Sequence, residues 1–194
     1  MFTGIITNLG KLEKRTESIY TFRAAKEFVQ KMEEGTSVSV NGVCLTVNAA
    51  PIEELFSIEV MPETQKKTML GEIQTGDTVN LELPVTPNTF LSGHIVQGHV
   101  DAVGEITNTK QEDNSYILTI TLSKNLTKYI VAKGSITVNG ISLTVIEAGA
   151  DFFTIGIIPY TWENTMLHTV KKGDSVNIEV DVLAKYLEKL VNKQ

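Results

Sequence analysis

The sequence predicts an all-β protein built from two copies of one small antiparallel sandwich or barrel. The first observation behind this is an internal repeat: residues 37–47 read SVSVNGVCLTV and residues 135–145 read SITVNGISLTV, with seven of eleven positions identical. The second is the alternation of apolar and polar residues, which is typical of half-buried strands. The third is the spacing of several short strands by turn residues, which is typical of sandwiches and small barrels.

The repeat extends beyond these two segments at a nearly constant offset. GDTVNLE at 76–82 returns as GDSVNIE at 173–179, and MPET at 61–64 returns as IPYT at 158–161. Gly4 and Gly10 match Gly98 and Gly104. A repeat with a period of half the chain predicts two folding units and two copies of any pocket that the unit carries. Positions where the copies differ are therefore where different chemistry is expected.

Composition and charge exclude several classes of protein. The chain has 194 residues and a net charge of −6, and it has no basic run. This disfavours nucleic-acid binding through a phosphate-neutralising surface. Cys44 is the only cysteine, so an intrachain disulfide is impossible. There is no signal-peptide pattern and no apolar run of about 18 residues, so we expect a soluble, cytoplasmic protein with no membrane partner.

Strands are predicted wherever apolar residues alternate or β-branched and aromatic residues cluster. Asn41-Gly42 and Asn139-Gly140 each lie between two such runs and predict tight hairpins. Gly76-Asp77 and Gly173-Asp174 predict further turns. The predicted strands occupy residues 37–40, 78–83, 116–122, 137–138, 152–158 and 175–180.

Three segments are predicted as helices: residues 23–33, 126–131 and 182–192. The last belongs to neither repeat and carries one apolar stripe, made of Leu183, Tyr186, Leu187, Leu190 and Val191. Two explanations remain open for this stripe. The helix packs on its own barrel, or it joins helices of other subunits in an oligomer.

Three features could carry chemistry. Two histidines five residues apart, His94 and His99, could bind a metal. No convincing third ligand accompanies them, so hydrogen-bonded structural histidines are expected instead. Cys44 and Ser142 are the mismatched pair of the repeat; each shares a strand face with a threonine two residues later, unless Cys44 is simply a small buried side chain. Asp181, opposite Pro84 of the first copy, is either a functional acid or a helix cap.

Several motifs together resemble the riboflavin synthase family of the alpha-chain type, the lumazine-binding tandem-barrel proteins. The resemblance covers essentially the whole chain. It implies two homologous six-stranded antiparallel Greek-key β-barrels plus a C-terminal α-helix, with barrels at residues 1–94 and 95–182 and a trimerisation helix at 183–194. The motifs are MFTGII, VNGVCLTV, MPET, SGHIVQGHVD, VNGISLTV and VNIEVDVLAKY.

The resemblance also implies an activity. Such enzymes convert two molecules of 6,7-dimethyl-8-ribityllumazine, by transfer of a four-carbon unit, into riboflavin and 5-amino-6-(ribitylamino)pyrimidinedione. They use no cofactor and no metal. They form homotrimers whose site lies between the N-terminal barrel of one subunit and the C-terminal barrel of its neighbour, and association with lumazine synthase is a further expected partnership. The alternative is a non-catalytic lumazine- or flavin-binding antenna protein.

Each barrel is then expected to bind one lumazine. By motif, the first pocket would use Gly4, Ile5, Ile6, Ser37, Cys44, Leu45, Thr46, Glu59, Met61, Pro62, Glu63 and Thr64. The second would use Gly98, His99, Val100, Lys133, Ser142, Leu143, Thr144, Ile157, Ile158, Pro159, Tyr160 and Thr161, with Asp181 closing it.

Catalytic roles are hypotheses at this point. His99 and Thr144 would assist deprotonation of the donor's methyl group. Either Ser142 with Asp181, or Cys44 with Ser37, would supply the nucleophile that adds to C7 of the other lumazine. Asn139 stands where many relatives carry Asp, which puts in doubt any mechanism needing a carboxylate there.

Overall fold

The strands of the protein form two six-stranded antiparallel sheets, one from each half of the chain. The structure is a computed structural model and describes residues 1–191. The first sheet contains β1 (Asn8–Thr16), β2 (Ile19–Ala24), β3 (Ser37–Val40), β4 (Val43–Thr46), β5 (Leu55–Glu59) and β6 (Thr78–Glu82). The second contains β7 (Ala102–Glu112), β8 (Ser115–Thr121), β9 (Ser135–Val138), β10 (Ile141–Ala148), β11 (Phe152–Ile157) and β12 (Ser175–Val180).

The two sheets have the same topology. The first runs β4-β3-β6-β1-β2-β5, and a bridge between Val47 and Ile58 joins its two ends. The second is a closed barrel in the order β10-β11-β8-β7-β12-β9, which is the same cyclic order. The prediction of an all-β protein with tandem six-stranded barrels is confirmed. The predicted limit at residue 94 falls in the connection between β6 and β7.

Each barrel has its own apolar core, as the repeat predicts. Phe22, Phe56 and Leu81 are fully buried in the first core, and Ile106 and Phe153 are fully buried in the second. The two strands that close the repeated units, β6 and β12, are buried on both faces. Their inward side chains fill the cores, whereas their polar side chains face the other barrel.

The two Asn-Gly hairpin turns meet where the barrels touch. Asn41 and Gly42 have φ of 45° and 77°, and Asn139 and Gly140 have φ of 45° and 81°. These left-handed conformations confirm the predicted tight hairpins. A Cβ on Gly42 would lie 2.6 Å from the amide nitrogen of Gly140. Glycine is therefore required here by the close approach of two backbones. We call this contact between the barrels the inter-barrel seam.

Four buried asparagines hold the seam. The Asn80 Nδ2 donates to the Asn139 carbonyl oxygen at 2.8 Å, and the Asn177 Nδ2 donates to the Asn41 carbonyl oxygen at 2.8 Å. The Oδ1 atoms of Asn41 and Asn139 accept the amides of Asn80 and Asn177 within their own barrels. Asn139 is fully buried here. It therefore lies in the seam rather than in a pocket, and its replacement of an Asp removes no acid from the second pocket.

Five α-helices occur within residues 1–191: α1 (Lys26–Val29), α2 (Pro62–Lys67), α3 (Lys124–Thr127), α4 (Pro159–Asn164) and α5 (Val182–Val191). The predicted helix at 23–33 is wrong in its extent, because Arg23 and Ala24 pair with neighbouring strands as part of β2. The predicted helix at 126–131 begins earlier and ends at Thr127. Helices α2 and α4 were not predicted from the sequence, although each has proline near its start.

The charged side of the C-terminal helix α5 makes polar contacts with the second barrel. Lys185 Nζ lies 2.6 Å from an Asp101 carboxylate oxygen, and the Glu188 carboxylate contacts Lys128 and Tyr129. The predicted apolar stripe remains outside, with its five side chains 57–70% exposed. The chain's own barrel therefore does not cover this stripe. Asn192, the last residue of the predicted helix, lies outside the described residues.

None of the helices within residues 1–191 combines the length and the apolar character that crossing a membrane requires.

Candidate active site

The mismatched residues of the repeat lie on the outer surfaces of the two barrels. Along β10, Leu143 points into the core while Ser142 and Thr144 are more exposed. The same alternation along β4 buries Leu45 and leaves Cys44 and Thr46 outside. Each pair thus shares a face, as predicted. We call the outer surface around Cys44 the Cys44 pocket and the one around Ser142 the Ser142 pocket.

In the Ser142 pocket a histidine lies between two hydroxyl groups. His94 Nδ1 is 2.7 Å from Ser142 Oγ, and its Nε2 is 3.1 Å from Thr137 Oγ1. Thr137 is the cross-strand neighbour of Ser142, so the β9–β10 register places both hydroxyls at the same ring. Burial lowers the pKa of the His94 imidazole, and the nearby Asp181 carboxylate opposes that shift. A neutral imidazole can accept the Ser142 hydroxyl proton.

Asp181 serves as the cap of helix α5. Its Oδ1 accepts the amide of Leu183 at 2.9 Å, and its carbonyl oxygen accepts the amide of Ala184. This is the capping explanation that the sequence left open. The partner of Ser142 is His94, so the hypothesised pairing of Ser142 with Asp181 is not observed as a hydrogen bond. Asp181 acts on this pocket through its charge, which lies close enough to influence His94.

The Cys44 pocket lacks an equivalent arrangement. Cys44 lies opposite Ser39 in the β3–β4 ladder, whereas Ser37 lies opposite Thr46. Ser37 is therefore only a diagonal neighbour of Cys44, at a typical separation of about 7–8 Å. Within residues 1–191, no side-chain hydrogen bond involves the Cys44 sulfur. The hypothesised Cys44–Ser37 pair is not brought into contact.

The glycine-led segments of the two pockets are exchanged relative to the prediction. The Gly4 carbonyl oxygen accepts the Ser142 amide at 2.8 Å, and the Gly98 carbonyl oxygen accepts the Cys44 amide at 2.9 Å. Ile6 packs against the second core, and Val100 packs against the first. These contacts differ from the predicted grouping: residues 4–6 contact the barrel of Ser142, and residues 98–100 contact the barrel of Cys44.

The exchange arises because the two segments meet and cross at the seam. The amide of Phe2 donates to the Val96 carbonyl oxygen at 2.7 Å, and the Val96 amide donates back at 3.2 Å. His99 consequently lies beside Cys44, while His94 lies beside Ser142. The two histidines considered as metal ligands therefore serve different pockets. Within residues 1–191, no group of three His, Cys, Asp or Glu side chains is placed to hold a metal ion.

The other predicted binding residues divide by exposure. Leu45, Leu143 and Ile157 are buried in the cores, so only their backbone atoms are available to a ligand. Exposed side chains come from the ends of β5 and β11 and from the helices that follow them: Glu59, Met61, Pro62, Glu63, Ile158, Pro159 and Tyr160. Thr64 and Thr161 are partly buried, and the backbone oxygen of each accepts a threonine hydroxyl.

Lys133 has an unusual backbone for its residue type. Its φ is 68°, in the left-handed region, and its amide donates to the Val145 carbonyl oxygen. In the first barrel Gly35 holds the corresponding place, with φ of 88° and its amide on Val47. A lysine in a conformation that favours glycine is a position where function is suspected. The exposed Lys133 side chain places a positive charge at a position where the first barrel has the uncharged Gly35.

Sequence reasoning missed several groups at these surfaces. Ser39 and Thr137 face Cys44 and Ser142 across the strands, and neither was proposed. Trp162 stacks on Tyr116 with ring centroids 3.9 Å apart, beside the predicted ligand residues of α4. The alternation of β3 and β9 could have identified Ser39 and Thr137. Nothing in the sequence links Trp162 to Tyr116.

The cleft of about 770 Å³ in the first barrel is a different feature. Arg15, Gln65 and Ile73 line it, and Pro62 is the predicted binding residue among its lining. The Arg15 guanidinium already donates to the Gly71 carbonyl oxygen at 2.9 Å and lies over the Tyr20 ring. The Arg15 guanidinium therefore already has partners within its own barrel. The Cys44 and Ser142 pockets are the better candidates because they carry the residues at which the two copies of the repeat differ, and because His94 contacts Ser142 there.

Comparison with known proteins decides the family. The lumazine binding domain matches this chain twice, at residues 3–84 and 97–181. The chain belongs to the lumazine-binding family. The riboflavin synthase of Actinobacillus pleuropneumoniae is 42% identical over all of this chain and 91% of that protein. The riboflavin synthase of Mycobacterium bovis is 42% identical over 98% of each chain, and that of Bacillus subtilis is 38% identical.

Solved structures agree with this membership of the lumazine-binding family. LumP complexed with riboflavin superposes with a TM-score of 0.83 and 26% identity, covering 93% of this chain and 99% of that chain. LumP complexed with 6,7-dimethyl-8-(1'-D-ribityl) lumazine superposes with a TM-score of 0.81 and 25% identity over the same shares. The resemblance found in the motifs is confirmed. In this member of the family the two pockets are alike in backbone and differ in the side chains at positions 44 and 142.

Proposed function

We propose that this protein is a riboflavin synthase. It converts two molecules of 6,7-dimethyl-8-ribityllumazine into riboflavin and 5-amino-6-(ribitylamino)pyrimidinedione by transfer of a four-carbon unit. The observation that carries the proposal is the full-length similarity, at 42% identity, to riboflavin synthases from two organisms. Two related but unequal pockets in one chain suit a reaction in which one molecule gives the unit and an identical molecule takes it.

Positioning is the main task of the protein in this reaction. The C7 methyl group of the lumazine is acidic because its carbanion delocalises into the ring, so no strong base is needed. Holding two rings face to face contributes about 7–11 kcal/mol to lowering the barrier of a bimolecular step. In this proposal, backbone groups of β4 and β10 and the hydroxyls of Thr46 and Thr144 bind the ring amides. Exposed polar groups around them serve the ribityl chains.

We assign the acceptor lumazine to the Ser142 pocket. Ser142 Oγ forms a bond to C7, the electron pair moves into the pteridine ring, and the hydroxyl proton passes to His94 Nδ1. The 2.7 Å contact between Ser142 and a neutral His94 supports this assignment. The donor lumazine then occupies the Cys44 pocket, where His99 assists loss of its methyl proton. Cys44 as the nucleophile is the alternative.

We further propose a homotrimer in which the Cys44 pocket of one subunit faces the Ser142 pocket of its neighbour. Both pockets open outward, so a second chain can close them, and this arrangement would also bring His99 to Thr144 of the neighbour. The exposed stripe of α5 supports association. Burying five such side chains gives about 1.5–3 kcal/mol each, against about 4–15 kcal/mol for association. The helix therefore needs additional contacts between barrels.

The cytoplasm is the proposed location, since a single cysteine requires no oxidising compartment. Association with lumazine synthase stays a prediction.

A direct assay tests the proposed function. Purified protein is incubated with 6,7-dimethyl-8-ribityllumazine, and riboflavin is followed by its absorbance. We expect one riboflavin for every two lumazines consumed, without added metal or cofactor. Tight binding of lumazine or riboflavin without turnover would instead identify an antenna-type binding protein. A chain that neither binds nor converts the lumazine would contradict both assignments.

A further inference from the structure

Two buried glutamates have no part in the mechanism above. Glu82 ends β6 and Glu179 occupies the corresponding place in β12, and they are only 4% and 3% exposed. No Lys, Arg or His side chain lies within ion-pairing distance of either carboxylate in residues 1–191. Burial raises the pKa of both carboxyls; hydrogen bonds from the Thr3 hydroxyl and the backbone oppose this shift at Glu82, and backbone hydrogen bonds oppose it at Glu179. Keeping a carboxylate in such a place requires donors that satisfy its oxygens.

The donors for Glu82 come from the start of the chain. Its Oε1 accepts the Thr3 amide and the Thr3 hydroxyl, both at 2.7 Å, and its Oε2 accepts the Gly4 amide at 3.0 Å. Gly4 has φ of 77°, which turns successive amides toward one point. Such a concave arrangement of amides is a binding site for an anion. Here the protein's own carboxylate fills it.

Glu179 is bound in the same way by the segment between the barrels. Its Oε1 accepts the Gln97 amide at 2.7 Å, and its Oε2 accepts the amides of Gly98 and His99 at 2.9 and 3.0 Å. Gly98 has φ of 80°. The second copy of the motif thus resembles the first, with a third backbone amide in place of the Thr3 hydroxyl.

Each bound segment continues into the pocket of the opposite barrel. Gly4, held by Glu82 of the first barrel, accepts the amide of Ser142 in the second. Gly98, held by Glu179 of the second barrel, accepts the amide of Cys44 in the first. These contacts are tightly packed. A Cβ on Gly4 would lie 2.6 Å from the Ser142 Cβ, and a Cβ on Gly98 would lie 2.6 Å from the Cys44 Cβ.

We propose that Glu82 and Glu179 are positioning residues that act crosswise: Glu82 shapes the Ser142 pocket and Glu179 shapes the Cys44 pocket. Each carboxylate fixes a backbone segment, and the segment fixes the strand that carries the reactive group. Neither carboxylate touches the lumazine. The identity of the ligand rests on the proposed function, but the crosswise arrangement does not.

Glutamine is the informative substitution. It keeps the shape of the side chain but has one acceptor oxygen and an NH₂ group, which would face a backbone N–H. In Glu82→Gln the Gly4 or Thr3 amide loses its acceptor, and in Glu179→Gln the same happens among residues 97–99. Val79→Ala and Val176→Ala are matched controls, because these buried side chains lie on the same two strands and point into the cores.

The first measurement is hydrogen exchange of the full-length protein without ligand, followed by mass spectrometry. In Glu82→Gln we expect exchange at residues 2–6 to rise by about tenfold or more, the effect of losing a hydrogen bond to a charged group. Exchange at residues 96–100 should stay unchanged. In Glu179→Gln, exchange should rise at residues 96–100 and stay unchanged at residues 2–6. In the two valine controls, exchange at these segments should not rise more than in the rest of the same barrel.

The second measurement adds riboflavin and follows protection of the peptides covering residues 43–47 and 141–146. In Glu82→Gln, protection of 141–146 should need riboflavin at about tenfold higher concentration, with 43–47 unaffected. In Glu179→Gln, protection of 43–47 should need the higher riboflavin concentration instead, with 141–146 unaffected. If either glutamine variant is insoluble, Glu82→Asp and Glu179→Asp keep the charge and shorten its reach, and the same segment-specific loss is expected.

Three results would overturn the crosswise assignment. Each variant could weaken the pocket of its own barrel, both variants could weaken both pockets equally, or neither could change exchange or binding. Failure of the proposed function gives a different result. Wild-type protein would then form no riboflavin from the lumazine, whether or not riboflavin protects either peptide, while the ligand-free exchange would still decide the positioning role.

Discussion

His94 and Ser142 are the residues on which the chemistry of the Ser142 pocket depends. Replacing His94 by Gln keeps a hydrogen bond to Ser142 but removes the group that accepts its proton. We therefore expect kcat to fall by about 10²–10⁴-fold, the usual contribution of a general base, with KM little changed. Steady-state assays with the lumazine check this. His168→Gln is the matched control, because His168 bonds to the Thr165 carbonyl oxygen away from both pockets. Equal losses in both variants would contradict the assignment.

The pH dependence of stability provides a second test of His94. Burial lowers its pKa in the folded protein below the unfolded value of about 6.5. The unfolded state then binds more protons in acid, so this contribution is present above about pH 6.5 and is lost as the pH falls toward the folded pKa. Urea unfolding between pH 7 and 5 should show a larger loss of stability in the wild type than in His94→Gln.

Asp181→Asn refines that measurement. Asparagine caps a helix about as well as aspartate, so α5 should stay intact. The negative charge that favours protonated His94 would be removed, so the folded pKa of His94 should fall further, and the loss of stability in acid should extend to lower pH and become larger. An unchanged limb would show that Asp181 serves only as the cap.

Cys44 separates the two hypotheses for the nucleophile. The substitution Cys44→Ser makes the two copies of the repeat alike at this position. Because the Cys44 sulfur has no hydrogen-bonded base within residues 1–191, we expect turnover to fall by less than about tenfold. Ser142→Ala, measured alongside, should abolish most turnover. The reverse ranking of the two variants would transfer the nucleophile to the Cys44 pocket.

Among the elements, α5 makes the clearest prediction. Its apolar stripe is exposed, while Lys185 and Glu188 attach its other side to the barrel. Leu187→Glu together with Leu190→Glu should convert the proposed trimer to monomers and remove turnover, because charged groups would have to be buried at the contact. Light scattering after size exclusion measures the mass. Lys189→Glu changes an exposed position of the same helix and should leave mass and activity intact.

At the scale of the whole molecule, stability depends on the seam. Gly42→Ala would strain a residue with φ of 77° and place a Cβ 2.6 Å from the Gly140 amide nitrogen. We expect a loss of about 1–3 kcal/mol or more, measured by urea unfolding. Gly76→Ala is the matched control, since Gly76 has φ of 98° and nothing within 4 Å of its added Cβ. Both variants strain a backbone with positive φ, but only Gly42→Ala brings a Cβ into the Gly140 backbone. Equal losses of stability would therefore mean that the two barrels can move apart at the seam without cost.

The seam also explains why the two halves form one structure. Asn80 and Asn177 each donate to a backbone oxygen of the opposite barrel, and Phe2 pairs with Val96 across the same contact. Every one of these groups is buried. An isolated barrel would expose them, together with the pocket strand that the other barrel's segment covers.

Much of the fold is determined by local sequence. The alternation in 78–83 and 175–180 predicts strands because side chains of a strand alternate between core and surface. The Asn-Gly turns predict the hairpins because both residues readily adopt positive φ. The repeat predicts two pockets, and the Cys44–Ser142 mismatch marks the places where they differ. All of these depend on residues close together in the chain.

Only the tertiary structure decides which segments build each pocket. Residues 4–6 and 98–100 precede their own barrels in sequence, yet their backbones bond to the opposite strand, because buried carboxylates and the Phe2–Val96 pair hold them across the seam. The contact of His94 with Ser142 and the place of Asn139 likewise depend on partners 38 to 59 residues away, and no local pattern or propensity encodes such a choice. The helix predicted at 23–33 begins late for a different reason, because Arg23 and Ala24 pair with β1 and Arg23 also with β5.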